Sequence, residues 1–562
     1  MTPFRRTLPP NYADGVELPR RAASGSELPS AREVSLKVHK PSPSSNPHFT
    51  VMLAVYGQFL DHDITATAIS QGINGSSISC CPPSVGHPEC FPVPVSAGDP
   101  VFDITGRTCM DFVRSAPAPQ CKLGPREQLN QVTAFIDGST IYGSDLSTAR
   151  DLREFSGGRL RMQMTPDNRT LLPPSKNPND GCNRQTERLR SRYCFAAGDS
   201  RANENLHLTT MHLLWARQHN RIADQLAKIN PSWDDETLYE ESRRIVGAQL
   251  QHITYQEFVP SVLGDVETNL RNLSPLKSGY RQRSDDSDDP ATDPSIANSF
   301  AAAAFRFAHT LLPGLMKVTD ERQGTSSYVE LHRMLFNPYS LYAEGGVESS
   351  VTSATSNTIQ MTSTHVTSQL TSHLFEDPVG NVTLPCGLDL VSLNIQRGRD
   401  HGLPGYTKWR EYCGQGKTES FSDLAGHVDP QVLREISLLY ESVHDVDLYT
   451  GALAELPKTG AIVGPTFTCL LADQFARLQK GDRFWYEVGD QPHSFTEGQL
   501  TELRKMSLAR LICDCSDGVM QTQAQVMRTI EPDNPMISCE DIPAPSFEPW
   551  REATVKNPVL QY

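Results

Sequence analysis

The chain has 562 residues, of which 38% are hydrophobic and 21% charged, with a formal net charge of −15. That balance suits a globular protein with a large core, and it argues against nucleic acid and against an anionic membrane surface as partners. No apolar run reaches the roughly 18 residues that a membrane span needs, so no span is predicted.

Residues 1–30 are rich in Pro, Ser and Arg, lack periodicity, and read as an extended N-terminal arm; the same character persists to about residue 50. Leu53 to Ala68 follows, LAVYGQFLDHDITATA. Met52, Val55 and Phe59 recur at helical spacing with Tyr56 beside them, which predicts a helix with a buried face. Gln58, Asp61 and His62 are three and four apart, so an amide, a carboxylate and an imidazole can look into one space. The competing reading is a helix whose Asp-His-Asp marks an exposed end.

Residues 70–127 carry Cys80, Cys81, Cys90, Cys109 and Cys121 among many prolines, and read as disulfide-stapled loops. In 129–145, LNQVTAFIDGSTIYGSD, Thr133, Asp137 and Ser139 alternate with the backbone of Phe135 and Gly138. Hydroxyls, a carboxylate and carbonyls packed so closely are what a hard cation such as calcium needs, although an ordinary polar turn reads the same way. A long helix is predicted over 199–229, capped by Asp199 or Ser200, with Met211, Leu214, Ile222 and Leu226 inward. Arg201 and Glu204 share a face at its start. A second helix is predicted over 236–257.

Residues 276–296 are polar and acidic and read as a mobile surface loop. Ser299 to Met316, SFAAAAFRFAHTLLPGLM, reads as a nearly apolar helix holding one histidine, His309, with Arg306 one turn earlier. A lone histidine there is commonly a core residue. Within the Ser/Thr-rich 348–373, Val366, Leu370 and Leu374 predict a helix. LDLVSLNIQRGRDHGLPGY, from Leu388 to Tyr406, packs Asn394, Arg397, Arg399, Asp400 and His401 together. Helical periodicity returns near 420–443 and 465–480. Strand signals are few, so the expected fold is mainly α with very little β.

Thirteen cysteines and four N-x-S/T sequons, at Asn74, Asn168, Asn272 and Asn381, point to an oxidising, secretory compartment. The start, MTPFRRTLPPNYADG, has no apolar signal segment, so a secreted chain lacking its true start is expected. Length alone suggests three or four domains.

The segments GQFLDHD, TAFIDGSTIYGS, AGDSRANE, FRFAHTLLPG, LNIQRGRDHGLPGY and GDRFWYE, in that order, resemble the animal haem peroxidases, the superfamily of myeloperoxidase, lactoperoxidase and peroxidasin. The likeness runs from about Leu8 to about Trp550. It implies one large, mainly helical domain, here 31–550, with a tail at 551–562, enclosing haem b and one Ca2+. By that resemblance His62 matches the distal histidine, Arg201 the distal arginine and Gln58 the distal glutamine. His309 matches the axial ligand of the haem iron and Asn394 its hydrogen-bond partner. Asp61 and Glu204 match the carboxylates esterified to the haem. Arg306 and Arg397 match arginines of the haem environment, facing the propionates. Asp63, Thr133, the Phe135 carbonyl, Asp137 and Ser139 match the calcium ligands.

Residue chemistry agrees with those roles. Haem iron takes one strong axial nitrogen, and the other ring nitrogen takes an oriented acceptor. On the open side a neutral imidazole can accept a proton from peroxide and return it, and an arginine can stabilise the charge of heterolytic O–O cleavage. The expected reaction is therefore peroxide-driven oxidation of halides, thiocyanate or phenols such as tyrosine. Asn205 stands where myeloperoxidase has the methionine of a third haem link, which implies two links only. The resemblance also pairs Cys80 with Cys90, Cys81 with Cys109, Cys182 with Cys194, Cys413 with Cys469 and Cys513 with Cys539. That leaves Cys121, Cys386 and Cys515 for a disulfide-linked dimer or an upstream cysteine. Two alternatives stand beside this. A fatty-acid oxygenase would need a tyrosine where Arg306 is. An adhesion protein would offer Lys480-Gly481-Asp482 to an integrin-type receptor.

Overall fold

The computed structural model describes residues 2–82, 86–177, 180–182, 184–282, 292–320, 324–376 and 387–552. Among the described residues helices dominate, and every sheet is a two-stranded pair. The expected mainly α fold with little β is what the chain adopts. One hydrophobic cluster joins residues from Phe4 to Trp550. The acidic stretch 283–291, the tail from 553, Asn381 and Cys386 lie outside the described residues.

The first segment is extended, as read, but it is tied down: Thr2–Pro3 pairs with Leu129–Asn130, and Phe4 is buried. Beyond it a helix that periodicity did not announce, α1 (Ala31–Val38), starts at an Ser30 cap. Its Arg32 is buried between Asp99, 2.8 Å away, and Asp389, 2.6 Å away. A buried arginine held by two carboxylates is a strong tether between distant segments, because removing either partner would strand a charge.

Helix α2 (Val51–Ile64) is the axis of the fold. All its residues are buried except Gln58 and Asp61, so it is a core helix rather than an amphipathic one. It ends four residues before the predicted Ala68. Thr65 turns extended (φ −131°, ψ 132°), and the residues after it bond to strand Leu129–Asn130: Ala66 N–H donates to Asn130 Oδ1 and Ala68 N–H to the Leu129 carbonyl.

A one-turn helix, α3 (Gln185–Arg188), precedes α4 (Leu206–Ile229), which packs along α2. The cap of α4 is Asn205, whose Oδ1 accepts from Leu208 N–H at 2.8 Å, not Asp199 or Ser200. Residues 199–204 stay in turns. Helix α5 (Asp235–Ile253) runs into a π-turn at Thr254–Phe258.

The predicted helix over 299–316 is broken. Asn298–Ala302 is α-helical, Ala303 departs from helical geometry (φ −140°, ψ −64°), and Ala304–Thr310 continues as a 3-10 helix carrying His309. Pro313 bars a longer helix, since it restricts the residue before it. A hairpin, Leu315–Asp320 with Thr325–Glu330, follows.

The Ser/Thr-rich stretch does contain a helix, but α6 lies at Gly346–Ser356, and the periodic residues around Leu370 form only one turn, Ser368–Thr371. Gly346 is required there: a Cβ would sit 1.9 Å from the Ser340 carbonyl oxygen. Helix α7 (Leu390–Asp400) is capped by Asp389, which accepts from Val391 and Ser392 N–H. Helices α8 (Pro465–Lys480) and α9 (Leu508–Cys515) complete the bundle. All five disulfides implied by the resemblance are formed; Cys121 is free and exposed, Cys515 free and buried.

Candidate functional site

Helix α2 presents Gln58, Asp61, His62 and Asp63 at its C-terminal end. His62 is 5% exposed, and its Nδ1 has no hydrogen-bond partner. Nδ1 lies 3.9 Å from Asp199 Oδ1 and Nε2 lies 3.8 Å from Glu204 Oε2. Burial, reinforced by the Arg201 charge, holds His62 well below the ordinary histidine range, so the ring is neutral at pH 7.

Arg201 is held by its neighbour rather than free. Its Nε and Nη2 donate to the two oxygens of Asp199 at 2.9 and 2.8 Å, and Nη2 also donates to the carbonyls of Thr65 and His62. Burial works to raise the Asp199 carboxyl, but Arg201 holds it far below the usual carboxylate range. Gln58 Nε2 donates to Glu204 Oε2 at 3.1 Å, and Gln58 Oε1 accepts from Asn205 Nδ2 at 2.7 Å. Thr65 Oγ1 donates to Asp61 Oδ1. Burial raises both acids, Glu204 to about 7, with Arg201 opposing.

On the opposite side, α7 places Asn394 behind His309, with Nδ2 2.8 Å from the ring Nδ1. Asn394 Oδ1 is taken by Arg306 Nη1 at 2.8 Å, and Arg306 Nε donates to the Ala301 carbonyl. The amide therefore donates to the imidazole, whereas an acceptor was expected; Arg306 is the reason. Burial, then the Arg306 charge, pushes His309 down to about 3. Arg306 interacts electrostatically with Asp61, Arg201 and Glu204, so the two halves border common ground. Asp61, Arg201, Glu204, Arg306 and His309 all lie deep in the molecule yet keep accessible surface. That surface opens onto an internal space.

Arg397 lies within electrostatic reach of Arg306. Its guanidinium stacks 4.0 Å from the Phe112 ring centre and donates to the Val113 carbonyl and Ser115 Oγ.

The oxygen-rich loop closes on α2. Asp63 Oδ2 accepts from Asp137 and Gly138 N–H, Oδ1 accepts from Thr140 N–H and Ser139 Oγ, and Ser139 Oγ also donates to the Asp63 carbonyl. Thr133 Oγ1 donates to the Phe135 carbonyl at 3.4 Å. Burial and the neighbouring Asp137 raise Asp63 to about 7. Two carboxylates, Asp63 buried and Asp137 half-buried, beside hydroxyl and carbonyl oxygens are a donor set that suits a hard cation, which would relieve their mutual repulsion. Among the described residues no three Asp, Glu, His or Cys side chains form a metal cage, so neutral oxygens would supply the remaining ligands.

The integrin-type reading meets an obstacle. Asp482 is 6% exposed; it accepts from Gln251 Nε2 and from Phe484 N–H, and cannot also face a receptor. Sequence reasoning treated Asp199 only as a cap; its place two residues before Arg201 was the signal that an ion pair could form.

Three comparisons bear on this geometry. A family model described as animal haem peroxidase matches residues 1–527. The peroxidasin homolog of Mus musculus is 39% identical over 98% of this chain and 38% of its own length. The chorion peroxidase of Drosophila melanogaster is 36% identical over 98% of this chain and 68% of its own length. The chain thus spans about two fifths of the peroxidasin homolog. Among solved structures, peroxidase A from Dictyostelium discoideum superposes with a TM-score of 0.76 at 29% identity, covering 94% of this chain and 96% of its own. A fatty acid alpha-dioxygenase from Arabidopsis thaliana superposes at 0.70 and 17% identity over 91% and 77%, a likeness of fold alone.

Proposed function

The chain belongs to the animal haem peroxidase family, and on that footing we propose that it is a secreted haem peroxidase, using hydrogen peroxide to oxidise halides, thiocyanate or phenols such as tyrosine. The observation that carries this reading is the pair of neutral imidazoles from distant segments, His62 and His309, together with the deeply placed groups Asp61, Arg201, Glu204 and Arg306, whose charges interact with one another. One ring is held from behind by Asn394; the other has an unpaired nitrogen. That donor set fits haem b. His309 Nε2 would hold its iron, and Asp61 and Glu204 would carry its two covalent links. Both carboxyls are driven toward the neutral form by burial, and an ester removes the charge altogether. When bound, the haem supplies the redox chemistry of peroxide activation.

The protein's own residues handle protons and charge. For Nε2 of His309 to offer its lone pair, Nδ1 must carry the proton. The Asn394 amide then turns over so that Oδ1 accepts it, releasing Arg306 Nη1 toward the internal space. His62, neutral, accepts a proton from peroxide at Nε2, the nitrogen on the Glu204 side, and returns it to the departing oxygen. Arg201, clamped by Asp199, presents a fixed positive charge to the developing negative oxygen. Gln58, braced by Glu204 and Asn205, orients water or a small anion beside His62. Calcium bound by Asp63, Thr133, Phe135, Asp137 and Ser139 would fix the end of α2 and with it His62. Five disulfides, and exposed sequon residues Asn74, Asn168 and Asn272 at left-handed turns open to a glycan, support an extracellular setting.

Steady-state oxidation of bromide, iodide, thiocyanate and tyrosine by purified holoprotein tests the reading. Peroxide-dependent turnover of at least one is expected, and none under any condition would refute it.

A further inference from the structure

A chain of net charge −15 repels the small anions that it is here read as oxidising. Against that background segment 184–194 stands out: Arg184, Arg188, Arg190 and Arg192 face a single Glu187, a local balance of +3. Arg188 and Arg190 are exposed, the latter with 68% of its side chain accessible. Glu187 is shared between Arg190 at 3.8 Å and Arg192 at 3.7 Å, so it neutralises at most one of them.

The segment is mounted rigidly beside the site. The Cys182–Cys194 disulfide closes its base. On one side, Phe195 exchanges two hydrogen bonds with the Asn203 side chain, at 2.9 and 2.7 Å, one residue before Glu204. On the other, the backbone at Gly181 lies against the Phe336 ring, 3.1 Å from where a Cβ would be, and Phe336 N–H donates to the Glu204 carbonyl. Leu335 bridges to Asn205. Tyr342 Oη accepts from Tyr193 N–H and donates to its carbonyl. Both ends of the arginine segment are thus built onto the strip that supplies Arg201, Glu204 and Asn205.

We propose that the arginine loop 184–194 is an electrostatic guide that draws small anionic reductants, halide or thiocyanate, to the Glu204 side of the site. The inference rests on the peroxidase reading and names how its anionic substrates are selected. Exposed charges act over about 10 Å at 0.1 M salt, so a positive rim in a negative protein concentrates anions at that rim and not elsewhere. A neutral phenol gains nothing from it.

The test compares kcat/KM for iodide and for neutral 4-methylphenol, from low to high ionic strength set with sodium sulfate, in the wild-type holoprotein and in R188E/R190E. Iodide turnover by the wild type should fall about fivefold as salt rises, and the variant should start about three- to tenfold lower and stay flat or rise with salt. Turnover of 4-methylphenol should stay within about twofold throughout. Iodide rates that are flat or rise with salt in the wild type, or equal rates for wild type and variant at low salt, overturn the guide while leaving the peroxidase intact. If the variant loses both substrates, the wild-type salt profile decides. If the wild type oxidises neither substrate, the peroxidase reading fails and the guide with it.

Discussion

Residues around the internal space act in pairs, and the pairs carry the predictions. Asp199 is buried and accepts three times from Arg201, from its backbone N–H, Nε and Nη2. Asp199→Asn keeps the shape but removes the charge that anchors the guanidinium. The rate of reaction with peroxide should fall roughly 10–100-fold through misplacement of Arg201, with haem content unchanged; a rate equal to wild type in stopped flow would show that Arg201 needs no anchor. Asn205 is committed twice, to the α4 cap and to Gln58. It cannot form a sulfonium bond, so mass spectrometry of the holoprotein should find two haem links, at Asp61 and Glu204, and weak or absent chloride oxidation. A third link would contradict this. Asn205→Met should also cost about 1 kcal/mol of stability by removing the cap.

At the scale of elements, α2 couples two sites. Asp63 follows His62 directly, and its carboxylate and carbonyl receive the loop 137–140. Chelation with EGTA should therefore lower Tm and slow the peroxide reaction together, both restored by Ca2+. Saturation at 100-fold over Kd stabilises by about 2.7 kcal/mol, enough for a clear shift. A fall in Tm with the peroxide rate untouched would uncouple the two sites. The elements also show what periodicity can and cannot tell. The helix around His62 was legible because apolar residues recur along it. Its end at Ile64 was not, because the tertiary pairing of Thr65–Ala68 with 129–131 decides it. Helix α1 was missed because its ordering comes from Arg32 bonding to residues 67 and 357 positions away. Helix α6 was displaced because Ser and Thr mask a buried face set by the close approach at Gly346.

Across the whole molecule, buried titratable groups set the acid limit. Burial pushes His39 down to about 3 and His207, His212, His219 and His252 to about 4. A histidine with a lowered folded pKa binds fewer protons than the unfolded chain does, so its contribution is lost as pH falls below about 6.5. Glu257, raised to about 7, and Asp482, raised to about 6, act in the opposite sense, favouring the folded state as pH falls. Outside the groups read as holding haem and calcium, these five histidines outweigh these two carboxyls, so Tm of the holoprotein should drop steeply between pH 6.5 and 4.5, in a calorimetric series at constant ionic strength. A flat profile would mean that these histidines stay solvated. The family and the mainly α class were readable from six ordered motifs, each too short to be specific alone. The partners within the site were less readable: that Arg306 occupies the Asn394 oxygen, and that Arg397 turns to Phe112, depends on side-chain geometry that spacing does not encode.

The measurement closest to the centre of the account is the stopped-flow reaction of hydrogen peroxide with His62→Ala holoprotein at matched haem content. Removing the proton-handling imidazole while His309 keeps its place should slow that step on the order of 10²–10⁴-fold. A variant reacting with peroxide as fast as the wild type would contradict the division of labour between the two histidines.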